Sequence, residues 1–168
     1  PWPDLYLAVV LSLTTGGRQG EIMGLRWPQI DFARRVITLN QGTTKNKDAR
    51  ALPLSGEAFE LLQDRSKVRS LKDDRVFLPV TAKGINRGFR EAWIRALKAA
   101  EIENFRWHDL RHTAASYLAM SGVSLVEIAK ILGHRTLAMV ARYAHLDPAH
   151  VVAVGDKLAA RLSLGGKK

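Results

Sequence analysis

The sequence predicts an α+β fold that is mainly α-helical, with a small three-stranded antiparallel sheet. Most of the 168 residues fall in helical segments with apolar stripes, and only three short stretches have an extended pattern. The chain shows neither alternating strand and helix units nor a phosphate-binding glycine-rich loop, which argues against a parallel sheet that binds nucleotides. The length is that of one domain of ordinary size.

The chain is predicted to begin with two helices. Asp4 is placed to cap a first helix that runs to about Thr15, where two glycines interrupt it. A second, short helix then carries Arg18 and Glu21. A turn is expected at Asp31, before the first extended stretch.

Three short stretches are candidate strands. Residues 36–39 alternate and are rich in β-branched side chains, and residues 51–54 form a second extended run. The polar stretch 40–48 between them indicates an antiparallel hairpin with a basic tip. After a helix that starts at Ser55, residues 76–78 form a third, brief extended piece.

The second half of the chain is predicted to be helical. Thr81 opens a long helix whose apolar residues lie about one turn apart, which is typical of a helix that faces the core. A second helix covers about 110–120. Ser124 and Glu127 then form a capping box for a third helix, and Gly133 ends it. Two more helical segments follow, at about 137–144 and 149–162.

Composition narrows the classes of function. The chain carries 26 Lys and Arg against 16 Asp and Glu, a net charge of +10, which favours a polyanionic partner over a merely basic protein. The absence of cysteine excludes disulfides, thiol catalysis and cysteine-bound zinc. No apolar run reaches the ~20 residues that a membrane span needs, so no membrane association is expected.

The residues that could bind or react lie in five sequence blocks: 15–27 (TGGRQGEIMGLRW), 44–54 (TK to RALPL), 108–113 (HDLRHT), 132–134 (LGH) and 142–145 (RYAH). In these blocks and in this order, the sequence resembles the tyrosine recombinases, also called phage integrases. The likeness covers nearly the whole chain. It implies the catalytic-domain fold of DNA breaking-rejoining enzymes and site-specific DNA recombination or integration through a covalent 3′-phosphotyrosyl intermediate.

The resemblance implies a set of residues that hold the scissile phosphate. Arg18 and Arg111 match the arginine clamp, and arginine suits this role because its planar fork binds phosphate oxygens in pairs. His134 matches a second phosphate-contacting histidine, although a role as a helix cap alone also fits its position. Glu21 matches an acidic position that orients Arg18.

The resemblance also implies the residues that react or move protons. Tyr143 matches the nucleophile, and His108 the residue that accepts or shuttles its proton. Lys45 matches the general acid for the leaving 5′ oxygen, with Lys47 as the substitute in the same hairpin. A tyrosine with a pKa near ~10 needs such a base and a cationic site to attack at neutral pH. Because the phosphotyrosyl link conserves bond energy, no cofactor or metal is expected.

Other interpretations of the same residues stay open. His108 and His112 are four residues apart, faintly like a zinc-binding pair on one helix face, but Arg111 would lie beside the cation. His112 and His145 otherwise default to structural or surface roles. A DNA-binding module that has lost catalysis and a type IB topoisomerase-like relaxing enzyme are the alternative functions.

The family resemblance further implies partners and organisation. Double-stranded DNA is the expected partner, with a homo-tetramer on DNA, a monomer in isolation and a cytoplasmic, bacterial or phage-encoded setting. Residues 1–168 are expected to be the catalytic domain without the N-terminal DNA-binding domain, and 149–168 a tail that packs in cis or on a neighbouring protomer. Because Tyr143 lies just before this tail, its hydroxyl is expected to be mobile and poorly aimed without DNA.

Overall fold

Seven α-helices make up most of the computed structural model, which describes residues 3–39, 49–78, 85–134, 136–146 and 148–162. They are α1 (Leu5–Thr15), α2 (Gln19–Met23), α3 (Gly56–Lys67), α4 (Ile85–Ala99), α5 (Trp107–Met120), α6 (Leu125–Leu132) and α7 (Pro148–Leu162). Short 3-10 helices cover Trp27–Gln29, Leu137–Met139 and Ala141–Leu146. The strands are β1 (Ile30–Asp31), β2 (Val36–Leu39) and β3 (Arg50–Pro53). The predicted α+β class is therefore confirmed.

The sheet is three-stranded and antiparallel, in the order β1-β2-β3. At its centre Ile37 pairs with Ile30 on one side and Leu52 on the other, and both Ile37 and Leu52 are fully buried. This confirms the hairpin predicted from the alternating pattern. Its tip, 40–48, lies outside the described residues.

The third strand differs from the sequence expectation. It is β1, at the place where a turn was expected at Asp31, and the extended piece expected at 76–78 forms no strand. Next to that piece, Arg75 makes only an isolated bridge to Arg26. Val76 and Phe77 are fully buried, so their apolar character reflects burial in the core rather than strand pairing. A two-residue strand is too short to show a period of two in the sequence.

The core consists of two apolar clusters that meet along α5. The larger cluster joins α1, the sheet, α3, α4 and the first turns of α5, and it includes Leu11, Leu52 and Leu62. The smaller cluster joins the second half of α5, α6 and the 3-10 helix Ala141–Leu146. Since burying one such aliphatic side chain contributes roughly 1.5–3 kcal/mol, each cluster can hold its elements in place.

Helix α5 begins three residues before its predicted start at 110. Trp107 opens it and packs edge-on against Phe89, at 4.6 Å between ring centroids, and against Trp93, at 4.9 Å. Asp109 closes the first turn by accepting a hydrogen bond from the backbone N–H of Arg106 at 2.7 Å. The tertiary aromatic contacts, which no local pattern reveals, therefore extend the helix towards its N-terminus.

The boundaries of α6 agree with the sequence expectation. Ser124 Oγ accepts from the backbone N–H of Glu127 at 3.3 Å, and the Glu127 carboxylate accepts from the backbone N–H of Ser124 at 3.2 Å. Gly133 ends the helix with φ of 64°, in the left-handed region that glycine adopts without strain. The turn after α6 thus has a defined conformation.

The last helix, α7, displays apolar side chains to solvent. Val152, Val154 and Leu158 are about half exposed or more. None of the helices in the described part of the chain is long and apolar enough to cross a membrane.

Candidate functional site

Three segments that are far apart in the sequence meet at the turn after α6. Arg18, which precedes α2, donates from Nη2 to the carbonyl oxygen of Gly133 at 3.0 Å. Arg111, on α5, donates from Nη1 to the carbonyl oxygen of Gly16 at 2.6 Å and from Nη2 to that of Leu132. The structure therefore brings both predicted clamp arginines to one place.

The glycine at the end of α1 makes this convergence sterically possible. Gly16 has φ of 63°, and a Cβ at this position would lie 2.5 Å from Cδ2 of Leu132. A side chain would therefore strain the backbone and force the buried side chain of Leu132 to shift. The Thr-Gly-Gly-Arg sequence is thus explained by the close packing that delivers Arg18 to the turn.

A buried carboxylate lies between two arginines of the site. Glu21 Oε1 accepts from Nη1 of Arg18 at 3.0 Å and from Nη1 of Arg50 at 3.0 Å. Its Oε2 accepts from Nη2 of Arg50 at 2.6 Å and from the backbone N–H of Arg18 at 2.7 Å. This geometry fits the predicted orienting role of Glu21, and it extends that role to Arg50.

Arg50 is a site residue that the sequence analysis missed. It was not singled out within the block 44–54, yet its side chain is only 9% exposed and its guanidinium packs against Gly133. Burial lowers its pKa, while Glu21 acts in the opposite direction. The signal that could have found it is its position within the block 44–54, immediately before the predicted extended run 51–54.

The cluster carries a net positive charge. Three guanidinium groups, those of Arg18, Arg50 and Arg111, surround the single carboxylate of Glu21, which leaves a formal charge of +3 − 1 = +2. Burial, followed by the charges of Arg18 and Arg50, lowers the pKa of Arg111 to about 10. Arg111 therefore stays charged at neutral pH, and the cluster is suited to bind an anion.

His134 lies at the edge of this cluster and is neutral. Its backbone N–H donates to the carbonyl of Ala129 at 2.9 Å, so the residue also caps α6. Burial, followed by the charges of Arg111, Arg18 and Arg50, lowers the pKa of His134 to about 4. Its Nδ1 is buried and has no hydrogen-bond partner among the described residues. A neutral imidazole beside three arginines can donate an N–H to an anion held there.

Tyr143 lies on the 3-10 helix Ala141–Leu146, in the smaller core cluster, with 6% of its surface exposed. Its hydroxyl is hydrogen-bonded to Nδ1 of His112 at 2.6 Å. Burial raises the pKa of the hydroxyl, while Arg142 and Arg111 act to lower it. The hydroxyl is thus hydrogen-bonded within the domain, and the expectation that it is mobile and poorly aimed without DNA stays a prediction.

His112 is the second residue that the sequence analysis missed, because it was assigned a structural or surface role. The predicted proton-shuttling residue, His108, lies one turn earlier on α5 and is exposed. The two imidazoles contact each other edge-on, at 4.8 Å between ring centroids. His112 therefore lies between His108 and the hydroxyl of Tyr143. Its place next to Arg111 in the block 108–113 was the available signal.

Lys45 and its substitute Lys47 lie outside the described residues. The strands on either side of their hairpin are described, and β3 begins at Arg50, inside the site. The general-acid role of Lys45 stays a prediction. Within the described ranges, no group of three His, Asp or Glu side chains could hold a metal ion.

The chain matches the model of the phage integrase family over residues 4–150. It is 37% identical over 157 residues to the integrase of Salmonella phage P22, an alignment that covers 88% of this chain and 40% of that protein. It is 34% identical over 152 residues to the tyrosine recombinase XerC of Pseudomonas fluorescens, covering 87% of this chain and 49% of that protein. The chain thus spans less than half the length of these relatives.

Among solved structures, the chain is similar to the catalytic domain of bacteriophage HP1 integrase. The two share 33% identity and a TM-score of 0.72, over 98% of this chain and 87% of that one. The fold is also similar to that of the Tn1549 transposon integrase in complex with a circular intermediate DNA, with 24% identity and a TM-score of 0.75 over 93% of this chain and 59% of that one. The resemblance seen in the five sequence blocks is thereby confirmed: the chain belongs to the phage integrase family.

Proposed function

We propose that the chain is the catalytic domain of a site-specific tyrosine recombinase, which cleaves and rejoins DNA through a covalent 3′-phosphotyrosyl intermediate. The observation that carries this proposal is the meeting of Arg18, Arg111 and His134 at the turn after α6, with Tyr143 held beside His112. The relatives of this chain are integrases and recombinases, which favours neither an inactive module nor a topoisomerase.

The arginine cluster would bind the scissile phosphate. An arginine has five N–H donors, and Arg111 uses two of them to hold backbone carbonyls. Its remaining donors, with those of Arg18 and an N–H of neutral His134, can bind the non-bridging oxygens. Donors fixed in advance by the fold stabilise the charge that develops in the transition state, without reorganising.

Tyr143 would act as the nucleophile on this phosphate. Its oxygen forms a bond to phosphorus while the bond to the 5′ oxygen breaks, and Lys45 donates a proton to that leaving oxygen. A 5′ hydroxyl from a second DNA strand can then reverse the attack and restore the free tyrosine. The bond energy stays in the phosphotyrosyl link, so the proposal includes no cofactor.

The proposal also covers partner and organisation. Double-stranded DNA suits the net charge of +10 and the buried positive cluster. We propose residues 1–168 as the catalytic domain, which acts as a homo-tetramer on DNA and is a monomer without it. The exposed apolar side chains of α7 support a tail, 149–168, that contacts either its own domain or a neighbouring protomer.

A nicked suicide DNA substrate tests the activity. The wild-type protein is expected to form a covalent adduct that survives denaturing electrophoresis, and Tyr143→Phe is expected to form none. Tyr117→Phe is the matched control, because Tyr117 is 66% exposed on α5 and is expected to leave adduct formation unchanged. An adduct that persists in Tyr143→Phe would contradict the proposal.

A further inference from the structure

We propose that Nδ1 of His112 accepts the proton of the Tyr143 hydroxyl when that oxygen attacks the DNA phosphate. The inference rests on the proposed function and deepens it, since it assigns the base of the cleavage step to a residue that the family resemblance did not indicate. His112 is then a catalytic residue, because its ring nitrogen contacts the reacting oxygen.

The position of Tyr143 in this contact is fixed by its packing. The distance from Oη to Nδ1 is 2.6 Å, although the residues are 31 positions apart in the sequence. The backbone N–H of Tyr143 donates to the carbonyl of Val140 at 2.9 Å, and the Tyr143 side chain is buried with Ala115 and Ile128. The hydroxyl is therefore already within proton-transfer reach of the imidazole.

The direction of the hydrogen bond follows from ordinary tyrosine chemistry. A tyrosine hydroxyl keeps its proton at neutral pH, and burial raises the pKa of Tyr143 further. A buried hydroxyl donor needs an acceptor, and its partner in the structure is the Nδ1 lone pair of His112. The imidazole is therefore neutral, with its proton on Nε2, which is the form that a base requires.

The surroundings of His112 keep it in this neutral form. Its pKa is lowered by burial first and then by Arg142 and Arg111. The titratable and charged groups that face it are Arg106 before α5, His108, Asp109 and Arg111 on α5, Arg142 and Tyr143 on the 3-10 helix, and His134 after α6. The carboxylate of Asp109 opposes the shift.

The step balances without any further reactant. The Oη–H bond of Tyr143 breaks as the Nδ1–H bond of His112 forms, the Oη–P bond forms, and the P–O5′ bond breaks. The 5′ oxygen takes its proton from the general acid, for which Lys45 is the candidate. On rejoining, the imidazolium of His112 returns its proton to Oη, which its cationic neighbours favour.

A purely structural role for His112 is the alternative, and asparagine distinguishes the two. In His112→Asn the side-chain oxygen can accept the hydrogen bond of Tyr143 near the position of Nδ1, but it does not take up a proton. A residue that only positions the nucleophile would tolerate this change. A base would not, because the tyrosine would then have to lose its proton to solvent.

Single-turnover adduct formation on the suicide substrate, measured from pH 5.5 to 9, provides the test. We expect His112→Asn to react about 10²-fold more slowly than the wild type at pH 7, and its rate to rise about tenfold per pH unit. The wild-type rate should level off above the pKa of His112. His145→Asn is the matched control, because His145 is an exposed histidine on the same 3-10 helix as Tyr143, and it should behave as the wild type.

The remaining outcomes separate this inference from the proposed function. If the wild type forms an adduct and His112→Asn, shown to be folded by its thermal melting, reacts within about threefold of it with the same pH profile, His112 is not the base. A faster reaction in His112→Asn also overturns the inference, because the hydrogen bond would then restrain the nucleophile. If the wild type forms no adduct, the proposed function itself fails.

Discussion

Different kinds of contact hold the arginine cluster and the tyrosine region, which is the 3-10 helix Ala141–Leu146 that carries Tyr143. Arg18, Arg50 and Arg111 are tied to Glu21 and to backbone carbonyls by hydrogen bonds that link α1, α2, β3 and α6. Tyr143 belongs to an apolar cluster and has one side-chain hydrogen bond, to His112. The arginine cluster is thus built into the fold, whereas we expect Tyr143 to be replaceable with little structural consequence.

The largest expected effect comes from removing the carboxylate that holds the arginine cluster. Glu21→Gln leaves the buried charge of Arg50 and the partly buried charge of Arg18 without their counter-ion, and we expect it to lower the free energy of unfolding by roughly 3–5 kcal/mol. Urea denaturation at pH 7 measures this change. Asp64→Asn is the control, because its ion pair with Lys67 is exposed and contributes little. If Glu21→Gln unfolds at the wild-type urea concentration, the cluster does not depend on this residue.

The turn after α6 gives the next largest effect. Gly133→Ala introduces a Cβ at a position with φ of 64°, in contact with the guanidinium of Arg50, and we expect a loss of about 2 kcal/mol. Gly56→Ala is the matched control, because Gly56 has φ of 55° but open space around it, so only about 1 kcal/mol of backbone strain is expected. The two melting curves measure the difference. Equal losses of stability in the two variants would show that the guanidinium of Arg50 does not limit the space for a side chain at position 133.

The tyrosine region should respond much less. Tyr143→Phe removes one hydrogen bond and keeps the ring in its apolar cluster, so we expect a loss of about 1 kcal/mol or less. The same urea series measures it. A loss as large as that of Glu21→Gln would erase the proposed difference between the two regions.

The effect expected to be smallest at pH 7 is that of His134, whose contribution to stability changes as the pH falls. The pKa of His134 falls from about 6.5 in an unfolded chain to about 4 in the folded one, so the unfolded state binds more protons between these values. Stability is therefore lost as pH falls from 6.5 towards 4. His134→Asn should weaken this dependence, measured as melting temperatures at pH 7 and 5, while His145→Asn should not. If the melting temperature of His134→Asn depends on pH as that of the wild type does, another group is responsible for the titration.

Local patterns predicted the parts of the fold that local contacts determine. The capping box of Ser124 and Glu127 and the glycine at 133 fixed the bounds of α6, since each acts within a few residues. The start of α5 was missed because Trp107 is held by Phe89 and Trp93 of another helix.

The site shows the same division between short-range and long-range contacts. The family resemblance pointed to Arg18 and Arg111, which the structure brings to one turn. It did not point to Arg50 or His112, whose partners lie 29 and 31 residues away. Their places in the blocks 44–54 and 108–113 were the available signal, but the ion pair with Glu21 and the hydrogen bond to Tyr143 are seen only in the folded chain.

Mapping the DNA attachment site by mass spectrometry tests the central claim most directly. After reaction with the suicide substrate, nuclease trimming and proteolysis, the nucleotide remnant is predicted to lie on the peptide that contains Tyr143, attached through its phenolic oxygen. A remnant on Tyr117, on Tyr6 or on any other side chain would contradict the account.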